Sequence, residues 1–394
     1  MKGYVFIANS TKPSIEQAKS RALVRPGNVS RPCLEAALKL GYDVFLGINR
    51  DNPEYLECEL PVNLFDSHTY RSITAFLDNI VAYKNLENII KQNDIEVIHC
   101  NTPVGGIIGR ICGKKHRIKK IIYTAHGFHF YKGAPLINRT LFKCAEKVMA
   151  RWTDVIITMN QEDYESAKCF KLKKGGKVYK VHGVGINLFE YSNLNVNIQK
   201  KREEVGLSDS NLICISVGDL IKRKNFETAI KSISKLNNTN VHLVICGSGP
   251  YEDKLKEIAK EFNVESQVHF LGFRNDIKEL LIASDIFLFP TLQEGLPRAL
   301  MESMAAGLPA ITSKIRGNID LIEDKEGGFL CNPLDVEAYA QSIESLLNNP
   351  SLRRKMGEYN KKRIKKYDIE YVKNEIKVIY DEVLNDEKNI TNKI

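Results

Sequence analysis

Twelve short runs rich in apolar and β-branched residues recur along the chain, separated by longer segments of mixed polarity. In the first half they fall at 4–9, 43–49, 96–101, 120–126, 155–160 and 178–183. In the second half they fall at 212–218, 241–247, 267–273, 286–291, 310–314 and 328–333. The runs are nearly continuous rather than alternating, as in strands covered on both faces by helices. Between them, Phe226, Ile230 and Ile233 share one helical face, as do Leu255, Ile258 and Phe262. Strand alternating with helix throughout predicts an α/β fold with parallel sheets.

A chain of 394 residues is too long for one ordinary core. The runs divide into two sets of six, which predicts two doubly wound, Rossmann-like domains, 1–185 and 186–369. The polar, Asn-rich stretch after Gly183 and Gly185 reads as the linker. The end of the chain carries two long helical patterns, and a last helix near 370–390 can cross back to the first domain. Disorder is expected only in the tail NDEKNITNKI.

Nine cysteines are scattered with no two within three residues, and Cys214 and Cys246 sit inside apolar runs. That usage fits reduced thiols in a cytosolic protein better than a disulfide framework or a zinc site. The opening MKGYVFIANS reads as a first strand rather than a secretion signal. No window approaches the length of apolar chain that spans a bilayer.

Charge is uneven. Residues 1–189 hold 28 Lys and Arg against 17 Asp and Glu, while residues 190–394 hold 29 against 31. The clusters KKHRIKK (114–120) and KLKKGGK (171–177) belong either to solvated loops or to a surface facing an anionic partner. An anionic membrane face suits them better than nucleic acid, since no nucleic-acid module accompanies the charge.

The most informative stretch is SDIFLFPTLQEGLPRALMESMAAGLPAITS. A strand ends near Pro290, a loop follows, and a helix of strong formers closes at Gly307. Pro297 reads as the first helical residue. The amides of Arg298, Ala299 and Leu300 then lack helical acceptors, and a helix N-terminus at the carboxyl end of a parallel strand holds anions. Glu294 and Glu302 flank that position. Carboxylates repel phosphate but accept from hydroxyls, so the set suits a sugar–phosphate ligand. The same spacing also fits a capped helix carrying two surface glutamates. Gly218 followed by Lys222, Arg223 and Lys224, and the turn Gly247-Ser248-Gly249-Pro250, feed the same edge. Neither a complete dinucleotide fingerprint nor a P-loop is present.

These elements, with IEVIHCNTPVGGIIGR (95–110) and IIYTAHGFHFYKGAP (121–135), make the chain resemble the retaining glycosyltransferases of family 4, in their bacterial capsule and exopolysaccharide branch. The resemblance spans both halves. It implies the GT-B fold, two Rossmann-like domains facing across a cleft. It also implies transfer of a hexosyl or N-acetylhexosaminyl group, with retention, from a nucleotide diphosphate sugar such as a UDP-sugar. The implied acceptor is a lipid-diphosphate-linked saccharide at the inner face of the cytoplasmic membrane, where the protein would be peripheral. No cofactor, metal or nucleic acid is implied, and the chain has no Asp-x-Asp.

The resemblance assigns roles by position. Glu294 would contact the donor sugar, lined by Gly295, Leu296 and Pro297. Arg298 and Ala299 would offer amides to the diphosphate, and Glu302 would hold the ribose. Lys224, with Arg223 beside it and the Gly218 and Gly247 turns around it, would grip the diphosphate. Phe273 and Arg274 would sit at the nucleobase. His126 would face the sugar and take part in catalysis. Asn101, Thr102, His129 and Lys132 would lie on the acceptor side. Three positions depart from the family pattern: Asp219 replaces a common arginine, Asn101 stands where histidine is expected, and the loop after the first strand lacks a glycine-rich sequence. An epimerase of the same architecture, or a non-catalytic nucleotide-sugar-binding protein, would share these motifs.

Overall fold

The computed structural model describes residues 1–385 apart from Ile73; the expected disordered tail after its first residue, Asn385, and the end of the last predicted helix lie outside the described residues. The chain divides into two compact units, Met1–Gly185 joined by the segment from Ile369, and Ile186–Asp368.

The first unit is built on β1 (Gly3–Ile7), β2 (Asp43–Ile48), β3 (Asn63–Asp66), β4 (Ile95–Asn101), β5 (Lys120–Ala125), β6 (Val155–Thr158) and β7 (Lys177–Lys180). They form one parallel sheet in the order β3-β2-β1-β4-β5-β6-β7. The sequence signalled six of these seven strands and missed β3. That strand has four residues, only Leu64 and Phe65 of it buried, and it sits at the sheet edge. The order turns around between β1 and β4, so the carboxyl ends of those strands flank the switch point where doubly wound sheets bind ligands.

Glycines set how closely the Pro103–Lys115 helix lies on this sheet. A Cβ on Gly106 would come within 2.5 Å of the Tyr123 ring, and one on Gly113 within 2.5 Å of Ile121. Between them Arg110 is fully buried. Its Nη1 donates to Glu146 at 2.7 Å, and its guanidinium lies 3.9 Å from the Tyr123 ring centre. The Ile369–Leu384 helix buries Val372, Ile376, Ile379, Tyr380 and Val383. The Tyr380 hydroxyl lies 2.7 Å from that of Tyr4 and 2.6 Å from His99 Nδ1. His182 pairs with Glu375 at 2.7 Å. The buried Tyr4–Tyr380–His99 contacts and the partly exposed His182–Glu375 pair, on top of the apolar face, explain why a C-terminal helix joins the N-terminal sheet.

The second unit contains β8 (Leu212–Val217), β9 (Val241–Cys246), β10 (Val268–Phe270), β11 (Ile286–Phe289), β12 (Ala310–Ser313) and β13 (Gly328–Cys331). They are parallel in the order β10-β9-β8-β11-β12-β13, with the switch point between β8 and β11. The Asn-rich stretch read as a linker is instead part of this unit. It forms the short helices Phe189–Ser192 and Ile198–Glu203. Arg202 is the anchor: buried, its Nε donates to the Ala283 carbonyl at 2.9 Å and its Nη2 pairs with Asp285 at 3.1 Å.

The basic clusters also read differently in three dimensions. Lys114 lies over the Trp152 ring at 3.9 Å, and Lys115 and His116 pair with Glu87 at 2.8 and 3.0 Å. Lys173 pairs with Asp154 at 3.1 Å and Lys177 with Glu382 at 2.7 Å. Part of the charge in 114–120 and 171–177 is thus met by acids within the fold.

Candidate active site

In the second unit the switch point gathers most of the residues singled out in the sequence. β8 ends at Val217, and a Cβ added to the following Gly218 would lie 3.2 Å from Lys224 Cε. The backbone of Gly247 approaches so closely that a Cβ there would stand 2.0 Å from the Gly218 carbonyl oxygen. No side chain is tolerated at that position, and this is the physical content of the Gly-x-Gly turn. A single 3₁₀ turn, Lys222–Lys224, follows. It is held by Asn225, in the left-handed region at φ 54°, whose Nδ2 donates to the Pro290 and Pro333 carbonyls at 2.8 Å.

The loop after β11 brings Glu294 onto this turn. Glu294 Oε1 accepts from Lys224 Nζ at 2.8 Å, from Thr291 Oγ1 at 2.9 Å and from Arg223 Nη1 at 3.3 Å. The Glu294 and Lys224 side chains are 10% and 12% exposed, so the pair is largely desolvated and its attraction weakly screened. All three bonds fall on Oε1, which leaves Oε2 for a ligand hydroxyl. Lys224 keeps two of its three N–H donors for an anion. Arg223 also donates to the Gln293 carbonyl at 2.6 Å, tying the loop to the turn. Asp219 is exposed and takes no part in this cluster.

The Arg298–Ala306 helix starts at the same edge. Pro297 is its N-cap, at φ −76° and ψ 120°, rather than the first helical residue expected from the sequence. Its carbonyl accepts the first helical bond, from the Met301 amide at 3.2 Å. The amides of Arg298, Ala299 and Leu300 therefore precede the ladder, which preserves the anion site by one residue's shift. Glu302 accepts from its own helix, Arg298 Nε donating at 2.8 Å. Leu296 is partly buried against the core, and the Gly295 carbonyl is covered by Gly317, where a Cβ would come within 2.4 Å. Phe273 is 76% exposed beyond β10. Arg274 is fixed by Asp276, at 2.8 and 2.6 Å, and that contact holds the Asp276 carboxyl down at about 2. Tyr191, which no sequence signal marked, has a buried hydroxyl without a partner, and the Glu302 carboxylate lies among the groups that raise its pKa after burial itself.

In the first unit the candidate residues meet at the carboxyl ends of β4 and β5. Asn101 is buried at the end of β4, and its Oδ1 lies 2.9 Å from His126 Nε2. That oxygen can only accept, so Nε2 carries the proton and Nδ1 presents a lone pair. Burial, then the positive charge of Arg71, push the His126 pKa down to about 4, so the ring is neutral at pH 7. Asn101 Nδ2 is buried and unpartnered. Thr102 adopts φ 62°, and its Oγ1 accepts from the Asn9 amide at 3.2 Å, joining β4 to the loop after β1. Near His126 is His99, which no local pattern in the sequence distinguishes. It is fully buried, its Nε2 is 2.7 Å from Thr124 Oγ1, and burial lowers its pKa to about 3.

The loop after His126 alternates. Phe128 and Phe130 are buried and stacked, with ring centres 4.7 Å apart, and both reach Phe170. His129 and Lys132 are exposed. His129 tilts against Phe142 at 5.3 Å, and the Lys132 amide donates to Glu162 at 2.7 Å. His126 and Asn101 thus form one group, while His129 and Lys132 stand apart from it on the outer side of the loop. Among the described residues no group of three His, Cys, Asp or Glu side chains is placed to hold a metal ion.

Two doubly wound parallel sheets, each with polar residues gathered at the carboxyl ends of its switch-point strands, are the GT-B fold of nucleotide-sugar-dependent transferases. The chain belongs to the glycosyltransferases: residues 197–363 match the family model "Glycosyl transferases group 1" and residues 29–160 match "Glycosyl transferase 4-like". It is 35% identical over 289 residues to the "Putative glycosyltransferase EpsD" of Bacillus subtilis, covering 72% of this chain and 76% of that one. It is 29% identical over 265 residues to the Escherichia coli "UDP-Gal:alpha-D-GlcNAc-diphosphoundecaprenol alpha-1,3-galactosyltransferase", covering 66% and 68%. Among solved structures it resembles Anabaena Alr3699/HepE in complex with UDP, with a TM-score of 0.74 at 17% identity over 96% of this chain and 100% of that one. The protein is accordingly a glycosyltransferase.

Proposed function

We propose that this glycosyltransferase moves a sugar, with retention, from a UDP-sugar to a lipid-diphosphate-linked saccharide in bacterial surface polysaccharide synthesis, at the inner face of the cytoplasmic membrane. The observation that carries the reading is the Glu294–Lys224–Arg223 cluster beside the free amides of the Arg298–Ala306 helix. It joins a hydroxyl-accepting carboxylate to a cationic, helix-terminal diphosphate cradle. The E. coli relative is named for a UDP-sugar donor and a diphosphoundecaprenol acceptor, which supports the same substrate classes here.

Each group has a chemical task in this reading. Glu294 Oε2 accepts from a donor-sugar hydroxyl, and Glu302 accepts from the ribose. Lys224 and the amides of residues 298–300 stabilise charge that develops on the leaving diphosphate, an electrostatic term of about 3–4 kcal/mol per donor. The acceptor hydroxyl attacks the anomeric carbon on the face the diphosphate leaves, and its proton passes to the departing phosphate oxygen. Neutral His126 stabilises the sugar in the oxocarbenium-like state without adding positive charge. Fixed cations do the work a divalent metal would do, so the reaction is proposed to be metal-free.

The test is incubation of the protein with a panel of nucleotide sugars and a lipid-linked saccharide, reading product stereochemistry by NMR. A new α-linked product from an α-linked donor supports the reading. An epimerised donor in the absence of acceptor would establish the epimerase alternative instead.

A further inference from the structure

The helix that follows the His126 loop carries an exposed apolar stripe. It runs through one π turn, Asn138–Phe142, into the Lys143–Ala150 helix. Its inward side is settled: Met149 and Ala150 are buried, Phe142 packs on the core, and Glu146 receives Arg110. Its outward side is not what a water-facing helix needs. Leu136, Ile137, Leu141 and Val148 are 74%, 64%, 60% and 47% exposed. With exposed Cys144, the positions 137, 141, 144 and 148 advance by four, three and four, which keeps them on one face.

Cations lie along the same helix. Arg139, Lys143, Lys147 and Arg151 are all exposed, and none makes an ion pair among the described residues. Glu146 is the single acid between 136 and 151, and its carboxylate is turned inward to Arg110. The outward face therefore combines apolar side chains with unopposed positive charge. A contiguous apolar stripe of this kind marks an interaction site. The absence of any acid on that face selects an anionic, fluid, apolar partner over a protein surface of mixed charge.

We propose that the 136–151 helix is the membrane-docking element, lying in the plane of an anionic bilayer surface. Ile137, Leu141 and Val148 enter the headgroup–acyl boundary, and the long stems of Lys143, Lys147 and Arg151 reach sideways to lipid phosphates. The proposal deepens the peripheral-membrane part of the functional reading and places it on a helix outside the sequence clusters at 114–120 and 171–177.

The test is co-sedimentation of the whole protein with vesicles of phosphatidylcholine alone or mixed with phosphatidylglycerol, without donor or acceptor, so that lipid binding is read separately from transfer. Binding is expected only to the anionic vesicles. It should weaken as salt rises from about 0.1 M to about 1 M, where the screening length falls from roughly 10 to roughly 3 Å. Neutralising one near-surface cation is expected to weaken binding roughly fivefold, so Lys143→Gln, Lys147→Gln and Arg151→Gln together should weaken it roughly a hundredfold. Leu141→Asp should weaken it by at least about tenfold while leaving the circular dichroism spectrum and nucleotide-sugar binding unchanged. Wild-type-like vesicle binding by both variants overturns the proposal. So does a wild-type dimer that Leu141→Asp dissolves, which would make the stripe an interface between copies of the chain.

Discussion

The carboxyl ends of the two sheets share a topology and differ in electrostatics. In the second unit, charges are cross-tied: Lys224 and Arg223 on Glu294, Arg298 on Glu302, Arg274 on Asp276. In the first unit, the residues at the ends of β4 and β5 are neutral: His126 on Asn101, and His99 on Thr124. The difference teaches how one fold can divide labour. Pre-paired charges suit the binding of a dianionic diphosphate, because the cations are already held and the carboxylate already oriented. A neutral, partly buried imidazole suits contact with a sugar whose ring becomes positive.

Three substitutions and one depletion probe that contrast, from large effect to none. His126→Ala should lower turnover by about a hundredfold or more, the scale of losing one oriented group at a reacting centre, with nucleotide-sugar affinity unchanged. Steady-state transfer and equilibrium binding read the two quantities; a loss of affinity equal to the loss of turnover would move His126 to the donor-binding role. Glu146→Ala strips the partner from buried Arg110 and is expected to cost about 3–5 kcal/mol of stability, measured by urea unfolding. An unchanged midpoint would show that the Arg110–Glu146 pair is not what fixes the helix on the sheet.

Two histidines of the first unit give a pH dependence. His126 and His99 have pKa values lowered to about 4 and about 3, against 6.5 in the unfolded chain. The unfolded state takes up protons first, so stability is complete above pH 6.5 and falls as pH drops through the window below it. Each histidine contributes a slope of up to about 1.4 kcal/mol per pH unit. Burial lowers His242 and His269 in the second unit as well, so the total slope is shared. His99→Gln should keep the bond to Thr124 and make the slope shallower; an unaltered slope would contradict the burial argument. Finally, EDTA should leave transfer unchanged, and a strict divalent-metal requirement would refute the reading that fixed cations carry the diphosphate charge.

How much of this was legible in the sequence follows from chain separation. Glu294, Pro297 and Glu302 lie within nine residues of one another, so a strand–loop–helix reading was enough to bring them together; only the cap moved by one residue. Lys224 lies seventy residues upstream of Glu294, and its direct bond to that carboxylate had no local signal. In the first unit, His99 looked like an ordinary strand residue, and only the C-terminal Tyr380 reveals the network it joins. β3 was invisible because four residues with two polar ends carry no periodicity. The basic clusters gave no sign that Glu87 and Asp154 lie opposite part of their charge, because a charge run carries no information about its spatial neighbours. The stripe at 137–148 needed the inward turn of Glu146 to stand out.

The central claim is that the Glu294–Lys224 cluster holds the donor and serves the transfer. Its most direct test is steady-state transfer by purified Glu294→Ala, with folding verified by circular dichroism. Turnover is expected to fall at least about a hundredfold. Turnover equal to wild type at saturating donor would contradict it.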